Sequence, residues 1–485
     1  MTGVLVIGAG PAGLAAARAA LRAGASVTLL DSSDQLGGQY WRHLPDSRAG
    51  VREDRLHHGW DRFRALQAEV VEHPACEVVS SAQVWAIERL DEGLAVHVHV
   101  GPPDGNRRPS RELAPDAIVL ATGAYDRTLP FPGWDLPGVF SAGAAQALAK
   151  GERVAVGGRV VVAGAGPFLL PVAASLAQTG ARVLGVYEAS RPRALARGWL
   201  PRPWRLLGAT SKFGELASYA LSHVRHRIPY RVGHAVIAAH GTDRVEQVTV
   251  ARLDSRWAPI PGTERRIDAD AVCVSHGFTP RIELAIAAGC DIRPDRFVRV
   301  DDRQRTSVPG VYAAGEITGI GGVDAALAEG AIAGHGAAGG GTDDPALRRD
   351  LARRATFTDF AARIESAHGI RPGWTGWLRP DTLVCRCEEV PYGRLRETGR
   401  ATCSTSLRSL KLSTRAGLGI CQGRVCGRTV EDLLGRESPG GLLDGTSTDR
   451  RPIASPVRIG ELAEAHGRHT SAATDAARHQ HQQKS

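Results

Sequence analysis

The 485-residue sequence has no run of 18 or more apolar residues, so no membrane-spanning helix is expected. It opens without the charged region and long apolar core of a secretion signal, because residues 4–7 run straight into glycines. The expected setting is the reducing cytoplasm, with membrane association only through partners. The eight Cys are then expected as thiols or metal ligands and not as disulfides. Lysine is scarce, at Lys150, Lys212, Lys411 and Lys484 only. The net charge of +9 therefore rests on Arg residues spread along the chain, which argues against a nucleic-acid partner. The densest group, Arg193, Arg197, Arg202 and Arg205, is interleaved with Trp199 and Trp204. It suits a solvated face at least as well as a partner surface or a phosphate contact.

Glycine, by contrast, is plentiful at 57 residues, and 43% of the chain is apolar, enough for a large core. Residues 4–7 read as a short buried strand that enters Gly8-Ala9-Gly10-Pro11-Ala12-Gly13. An Ala-rich helix follows, then a second strand over 26–30 ending at Asp31. Strand, G-x-G-x-x-G, helix, strand and acid together form a dinucleotide-binding pattern. Gly8 permits the turn, Gly10 lets a pyrophosphate approach, and Gly13 lets the helix lie close to the strand. The helix N-terminus offers free N–H groups to phosphates, and Asp31 suits a ribose hydroxyl.

Three further segments favour FAD at this site. Gly38 and Gln39 follow the acid, where many two-nucleotide flavoproteins place a loop near the flavin. Residues 118–120 lead into Ala121-Thr122-Gly123. A late strand over 311–314 leads into Gly315-Glu316, followed by Gly321-Gly322 and an Ala-rich helix from about Val323. Glu316 stands where most such proteins carry Asp, one methylene shorter.

A second glycine turn, Gly164-Ala165-Gly166-Pro167-Phe168-Leu169, follows a strand over 159–163 and precedes another that ends at Glu188. Leu169 replaces the third glycine. Glu188 suits a 2′-hydroxyl, hence NAD over NADP, and a retained fold without a nicotinamide is an equal alternative. No close Cys pair lies near either turn, which argues against disulfide reduction. Cys273 and Cys290 are expected in the core.

Cys385-Arg386-Cys387 and Cys421–Cys426 form C-x-C and C-x4-C pairs. Four thiolates suit a [2Fe–2S] cluster. Four-Cys zinc is the competing reading, although C-x-C is unusual for zinc knuckles. Arg386 and Arg424 would offset the cluster's negative charge, and Cys403 reads as a bystander.

The C-terminal motif, Cys385–Glu388 with Thr414–Cys426, resembles the bacterioferritin-associated ferredoxin-like [2Fe–2S] domain. Joined to the flavoprotein motifs, it resembles the α subunits of opine oxidase, hydrogen cyanide synthase and D-hydroxyproline or dye-linked proline dehydrogenases. The α subunit of heterotetrameric sarcosine oxidase is a more distant likeness. The resemblance spans about residues 1–465 and includes Gly319–Asp324, Arg451-Pro452-Ile453 and Gly460-Glu461-Leu462. It implies ligands Cys385, Cys387, Cys421 and Cys426, and an FAD-dependent oxidoreductase acting on CH–NH donors within a complex. The implied partners are a second FAD-containing subunit that oxidises an amine or amino acid, and in some members a small ferredoxin-like subunit. A self-contained NADH-dependent reductase is the alternative. No acid–base pair in the sequence stands out as catalytic.

The expected architecture is α/β, with two Rossmann-like dinucleotide-binding domains of the glutathione-reductase kind and a small helical [2Fe–2S] domain. The FAD domain is expected over 1–150 and 295–342, and the second Rossmann-like domain over 151–294. A helical connector over 343–371 and the cluster domain over 372–435 follow. A turn at 440–447 and a disordered polar tail from 465 to 485 complete the expected extension over 436–485.

Overall fold

The computed structural model describes residues 2–48, 53–91, 93–341, 344–404, 406–437 and 453–463. The expected turn at 440–447, the tail from 465 to 485, Arg451 and Pro452 lie outside the described residues.

Strand Gly3–Ile7 is an uninterrupted apolar run, and its last four residues are buried, as a strand covered on both faces requires. It sits at the centre of a parallel five-stranded sheet in the order 311–313, 117–120, 3–7, 26–30, 76–79. The strand order reverses at 3–7, so a crevice opens at the carboxyl ends of this strand and of 117–120. Helix Pro11–Arg22 starts directly at the glycine turn and carries Pro in its first turn, where the missing N–H costs nothing. It packs on helix Gly322–Ala337, whose buried face is mostly Ala and Gly. Side chains at Gly330 and Gly334 would meet the carbonyl oxygens of Ala12 and Ala16 at 2.1 and 2.0 Å. The two helices therefore cross almost backbone to backbone, which brings the late N-terminus at Gly322 to the first glycine turn.

The second parallel sheet has the order 230–232, 182–188, 159–164, 271–275, 139–141. Antiparallel three-stranded sheets, 82–89/94–100/110–113 and 234–240/247–252/265–268, extend each fold. Segments Ala124–Asp126 and Phe278–Pro280 pair antiparallel, so the chain leaves the first fold and returns to it side by side. Strand Val139–Ser141 already belongs to the second sheet. The crossings thus fall ahead of residues 150 and 295.

Helix Arg348–His368 then lies along helix Pro192–Trp199, where a Cβ on Gly198 would sit 2.7 Å from the Ala367 nitrogen. The C-terminal unit has a short hairpin, Leu383–Cys385 with Val390–Pro391, and helices Tyr392–Ala401, Leu407–Thr414 and Gly427–Glu437. Its core shares one cluster with Trp257, Trp374 and Trp377, and the Trp377 indole donates to the Trp257 carbonyl at 2.9 Å. The Trp134 indole donates to the Leu383 carbonyl at 2.6 Å, and Arg127 pairs with Asp432, so the unit is fastened to the crossing region. Among the described residues no helix is long and apolar enough to cross a membrane.

Candidate functional site

A cavity of about 1170 Å³ opens at the reversal point of the first sheet. Gly8, Gly10, Pro11, Ala12, Asp31, Gly38, Gln39, Ala121, Thr122, Gly123, Gly315, Glu316 and Gly322 all line it. Gly13 lies behind the wall, where a Cβ would meet the Gly8 carbonyl oxygen at 1.6 Å. Gly8 has φ +106°, and a Cβ there would meet the Ala121 oxygen at 2.3 Å. The wall is therefore bare backbone, as a pyrophosphate needs. The Asp31 carboxylate accepts from the Ala9 and Ser33 N–H groups at 2.6 and 2.7 Å. Thr122 donates to the Arg281 carbonyl at 2.6 Å, which holds the turn at Gly123.

Glu316 is enclosed by protein yet keeps part of its surface open to the cavity, and the described residues give its carboxylate no hydrogen bond. The longer side chain is thus free to accept from a polyol. Behind it, Glu329 accepts from the Gly315 N–H and the Thr318 hydroxyl, both at 2.8 Å. Burial pushes Glu316 up to about 7, with the charges of Glu329 and Asp126 adding to it. Burial also pushes Glu329 up to about 7, against the bonds from Thr318 and Gly315. An unfolded Glu titrates near 4.5. The folded state's preference for the protonated acids is therefore complete below that pH and lost as pH rises through 7. The stability of the flavin-free chain, followed through its melting temperature, is expected to fall between pH ~5 and ~8, by about 3 kcal/mol at most for either acid alone. Glu329→Gln should flatten that slope in a thermal-denaturation series. An unchanged slope would show that Glu329 does not titrate in this range.

The second glycine turn is built differently. Gly164 and Gly166 have φ of +144° and +109°, and a Cβ on Gly164 would meet the Ser275 oxygen at 1.6 Å. Helix Leu169–Gln178 starts only at Leu169, which is fully buried, so the larger residue is housed by a later start. Glu188 is 0% exposed, against 8% for Asp31, and is absent from the cavity wall. Its carboxylate accepts from the Gly166 and Ser190 N–H groups at 2.9 Å each and from the Tyr230 hydroxyl at 3.4 Å. His368 Nδ1 stands 3.3 Å away, and its Nε2 faces the Trp199 indole at 3.3 Å. Burial pushes the Glu188 carboxyl up, but the bonds from His368, Ser190 and Gly166 outweigh it and hold it below the usual range. His368 ends the connector helix, so the connector covers Glu188.

At the cysteine cluster, Cys385 and Cys426 are buried, Cys421 is half-buried and Cys387 exposed, and all four are free thiols. Gly419 lets the loop pass Cys387, whose Cβ would be 2.4 Å from a Cβ there. Gly417 and Gly423, both at positive φ, close the loop on itself. Contact with the Cys426 thiol pulls Cys385 and Cys421 down to about 6 and about 4, while the same contacts push Cys426 up. Cys421 also contacts Cys387. The four sulfurs gather in one place, Cys426 beside Cys385 and Cys421, and Cys387 beside Cys421. A tetrahedral zinc needs four ligands on one ion, whereas a two-iron cluster spreads its four thiolates over two metals. Cys403 is exposed in the turn after helix Tyr392–Ala401 and stands apart.

Sequence reasoning missed the junction of the two sites. Arg386, Arg424 and Val425, from the cysteine loops, line the same cavity as Gly8 and Glu316. Arg424 is paired with Glu283 at 2.7 Å and donates to the Ala454 carbonyl at 2.7 Å. The Arg386 guanidinium stacks 5.2 Å from the Trp134 ring. Their positions inside the cysteine motif pointed to the cluster and concealed their reach towards the nucleotide cavity.

The pyridine nucleotide-disulphide oxidoreductase family model matches residues 2–330, and the BFD-like [2Fe-2S] binding domain model matches 383–436. An opine oxidase subunit of Rhizobium meliloti is 33% identical over 95% of this chain and 87% of its own. The hydrogen cyanide synthase subunit HcnB of Pseudomonas aeruginosa is 31% identical over 95% of this chain and 99% of its own. The L-proline dehydrogenase from P. horikoshii shares the fold, with a TM-score of 0.64 and 20% identity over 95% of this chain and 79% of its own. The chain belongs to the pyridine nucleotide-disulphide oxidoreductase family, within the group of these oxidase and synthase subunits. It is an FAD-dependent oxidoreductase with a [2Fe–2S] domain. The bare glycine wall, Asp31 and the free Glu316 fit FAD, and the four gathered thiols fit the cluster.

Proposed function

We propose that this chain is the electron-transferring subunit of a hetero-oligomeric dehydrogenase acting on the C–N bond of an amine or amino acid, of the opine, D-hydroxyproline, proline or glycine kind. A second FAD-containing subunit would oxidise the substrate, and a small ferredoxin-like subunit would join some assemblies. The observation that carries this reading is the shared cavity, whose wall holds both the FAD cradle and the cluster loop residues Arg386, Arg424 and Val425.

FAD held there would supply chemistry that joins two-electron and one-electron transfer, and a cluster held by Cys385, Cys387, Cys421 and Cys426 would supply a one-electron acceptor. The chain's own residues do the rest. The glycine turn and Asp31 would hold the pyrophosphate and ribose, and Glu316 the polyol chain. Arg424, held by Glu283, keeps a cation between the two sites. Apolar walls, Phe168 and Phe278 among them, keep water out. The NAD site remains a fold without an open ribose acid in this reading. The protein would work in the cytoplasm and reach membranes only through its partners.

The isolated chain is expected to have no amine or amino-acid dehydrogenase activity with a dye acceptor, and the reconstituted complex to have it. Full activity from the isolated chain would overturn the reading.

A further inference from the structure

Fourteen large apolar side chains are exposed among the described residues, and seven of them lie between positions 200 and 230. The concentration centres on helix Thr210–Arg225. At 100° per residue, Phe213, Leu216, Ala217, Ala220, Leu221 and Val224 fall on one stripe about 140° wide. All six are exposed, with Leu221 and Val224 at 69% and 74%. The inward face is the polar one. Lys212 pairs there with Glu215 at 2.8 Å and Asp324 at 3.2 Å, and His223 faces the Leu170 carbonyl at 3.3 Å. The helix is thus fixed by polar contacts with its apolar side turned outwards, the reverse of an ordinary surface helix.

The charge around it is equally one-sided. Residues 191–231 carry nine Lys or Arg against the single acid Glu215, so nearly all of the chain's net +9 sits here. Arg225 and Arg227 are exposed at the end of the stripe, and Arg202 is exposed in the turn that carries Trp204, with no carboxylate partner for any of the three among the described residues. Phe213 and Leu216 also line the flavin cavity, so the apolar stripe runs into its mouth.

We propose that this face docks the C–N-oxidising flavoprotein subunit, through a partner surface that is apolar at its centre and acidic at its rim. The inference rests on the subunit reading proposed for the chain and adds where the partner sits. A second copy of this chain would bring like charge against like charge. A membrane surface would favour bulky insertion, but the stripe's centre is Ala217 and Ala220, which lets another protein's backbone approach closely between the larger Phe213 and Leu221. An apolar centre with an Arg and Trp rim is the usual make-up of a protein interface. Docking here would also close the cavity mouth and set the partner beside the FAD cradle.

The test is purification of the tagged full-length chain from its native cells at low salt. The partner is identified as the copurifying flavoprotein whose flavin is bleached by an amine or amino-acid substrate. Leu221→Asp and Ala217→Trp should weaken that complex by roughly 30-fold while FAD and iron per chain stay at wild-type levels. Leu90→Asp, on a distant exposed apolar residue, should leave the complex intact. Retention of the partner by both stripe variants would overturn the docking assignment and leave the subunit reading standing. Sedimentation of the wild-type chain with phosphatidylserine-containing vesicles, lost in Leu221→Asp while the complex persists, would overturn it in favour of a membrane face. A wild-type chain with no such flavoprotein attached would overturn the subunit reading and the docking face with it.

Discussion

Mixed anaerobically with NADH, the purified chain is expected to keep its flavin oxidised. The two glycine turns hold their acids in matching places, and the difference in their surroundings decides which can take a ribose. Asp31 and Glu188 each accept one N–H from the turn and one from the residue two positions on. Asp31 keeps an edge on the cavity, whereas Glu188 has none and meets Tyr230 and His368 besides. A ribose reaching Glu188 must expel His368, which is backed by Trp199 and anchored at the end of a 21-residue helix. Stripping buried Glu188 and His368 of this contact costs on the order of 1–3 kcal/mol. That would weaken nucleotide binding by roughly one to two orders of magnitude. Helix Leu169–Gln178 also starts two residues later relative to its glycine turn than helix Pro11–Arg22 does. Stopped-flow absorbance at the flavin band checks this. Bleaching by NADH within the time of dithionite reduction would mean that the connector swings away, and the self-contained reductase would then be the better reading.

The first glycine turn and the four cysteines were legible because each is a local pattern in which residue type and spacing carry the chemistry. Gly8, Gly13 and Gly419 sit where a Cβ would strike a neighbouring backbone or side chain, so their identity is forced by close approach. The second site was not legible. Its closure depends on His368, 180 positions beyond Glu188, and no periodicity links a connector helix to the acid it covers. Helix Thr210–Arg225 shows the same limit in another form. Its amphipathic period can be read from the residues, but which face turns inward is decided by Asp324 and Leu170, partners from distant parts of the chain. Arg424 was read as a counter-charge for the cluster, and the fold adds its pairing with Glu283 at the wall of the nucleotide cavity.

Replacing Cys421 by Ser is expected to abolish the [2Fe–2S] signal while leaving FAD in place. Cys421 contacts both Cys426 and Cys387, so it links the buried thiols to the exposed one. Serine matches its size, and the loop is held independently by Gly417 against Gly423 and by Arg415 on Glu388 at 2.6 Å. The fold should therefore survive the change. A serine hydroxyl is a poor substitute for a soft thiolate on iron, and three remaining sulfurs leave one metal short of a ligand. Iron and sulfide should fall to near zero and the reduced-state EPR signal should vanish. The residues proposed to hold FAD lie within 8–322, so the flavin spectrum should remain. Cys403→Ser, on a thiol outside the group of four, should change neither. In the reconstituted complex, Cys421→Ser should let substrate bleach the flavins but stop electrons from reaching a cluster-dependent acceptor. Retention of iron and sulfide at wild-type levels would remove Cys421 from the ligand set. Zinc in place of iron in the wild-type chain would make the C-terminal unit structural, and the shared cavity wall would then be packing and not a path for electrons.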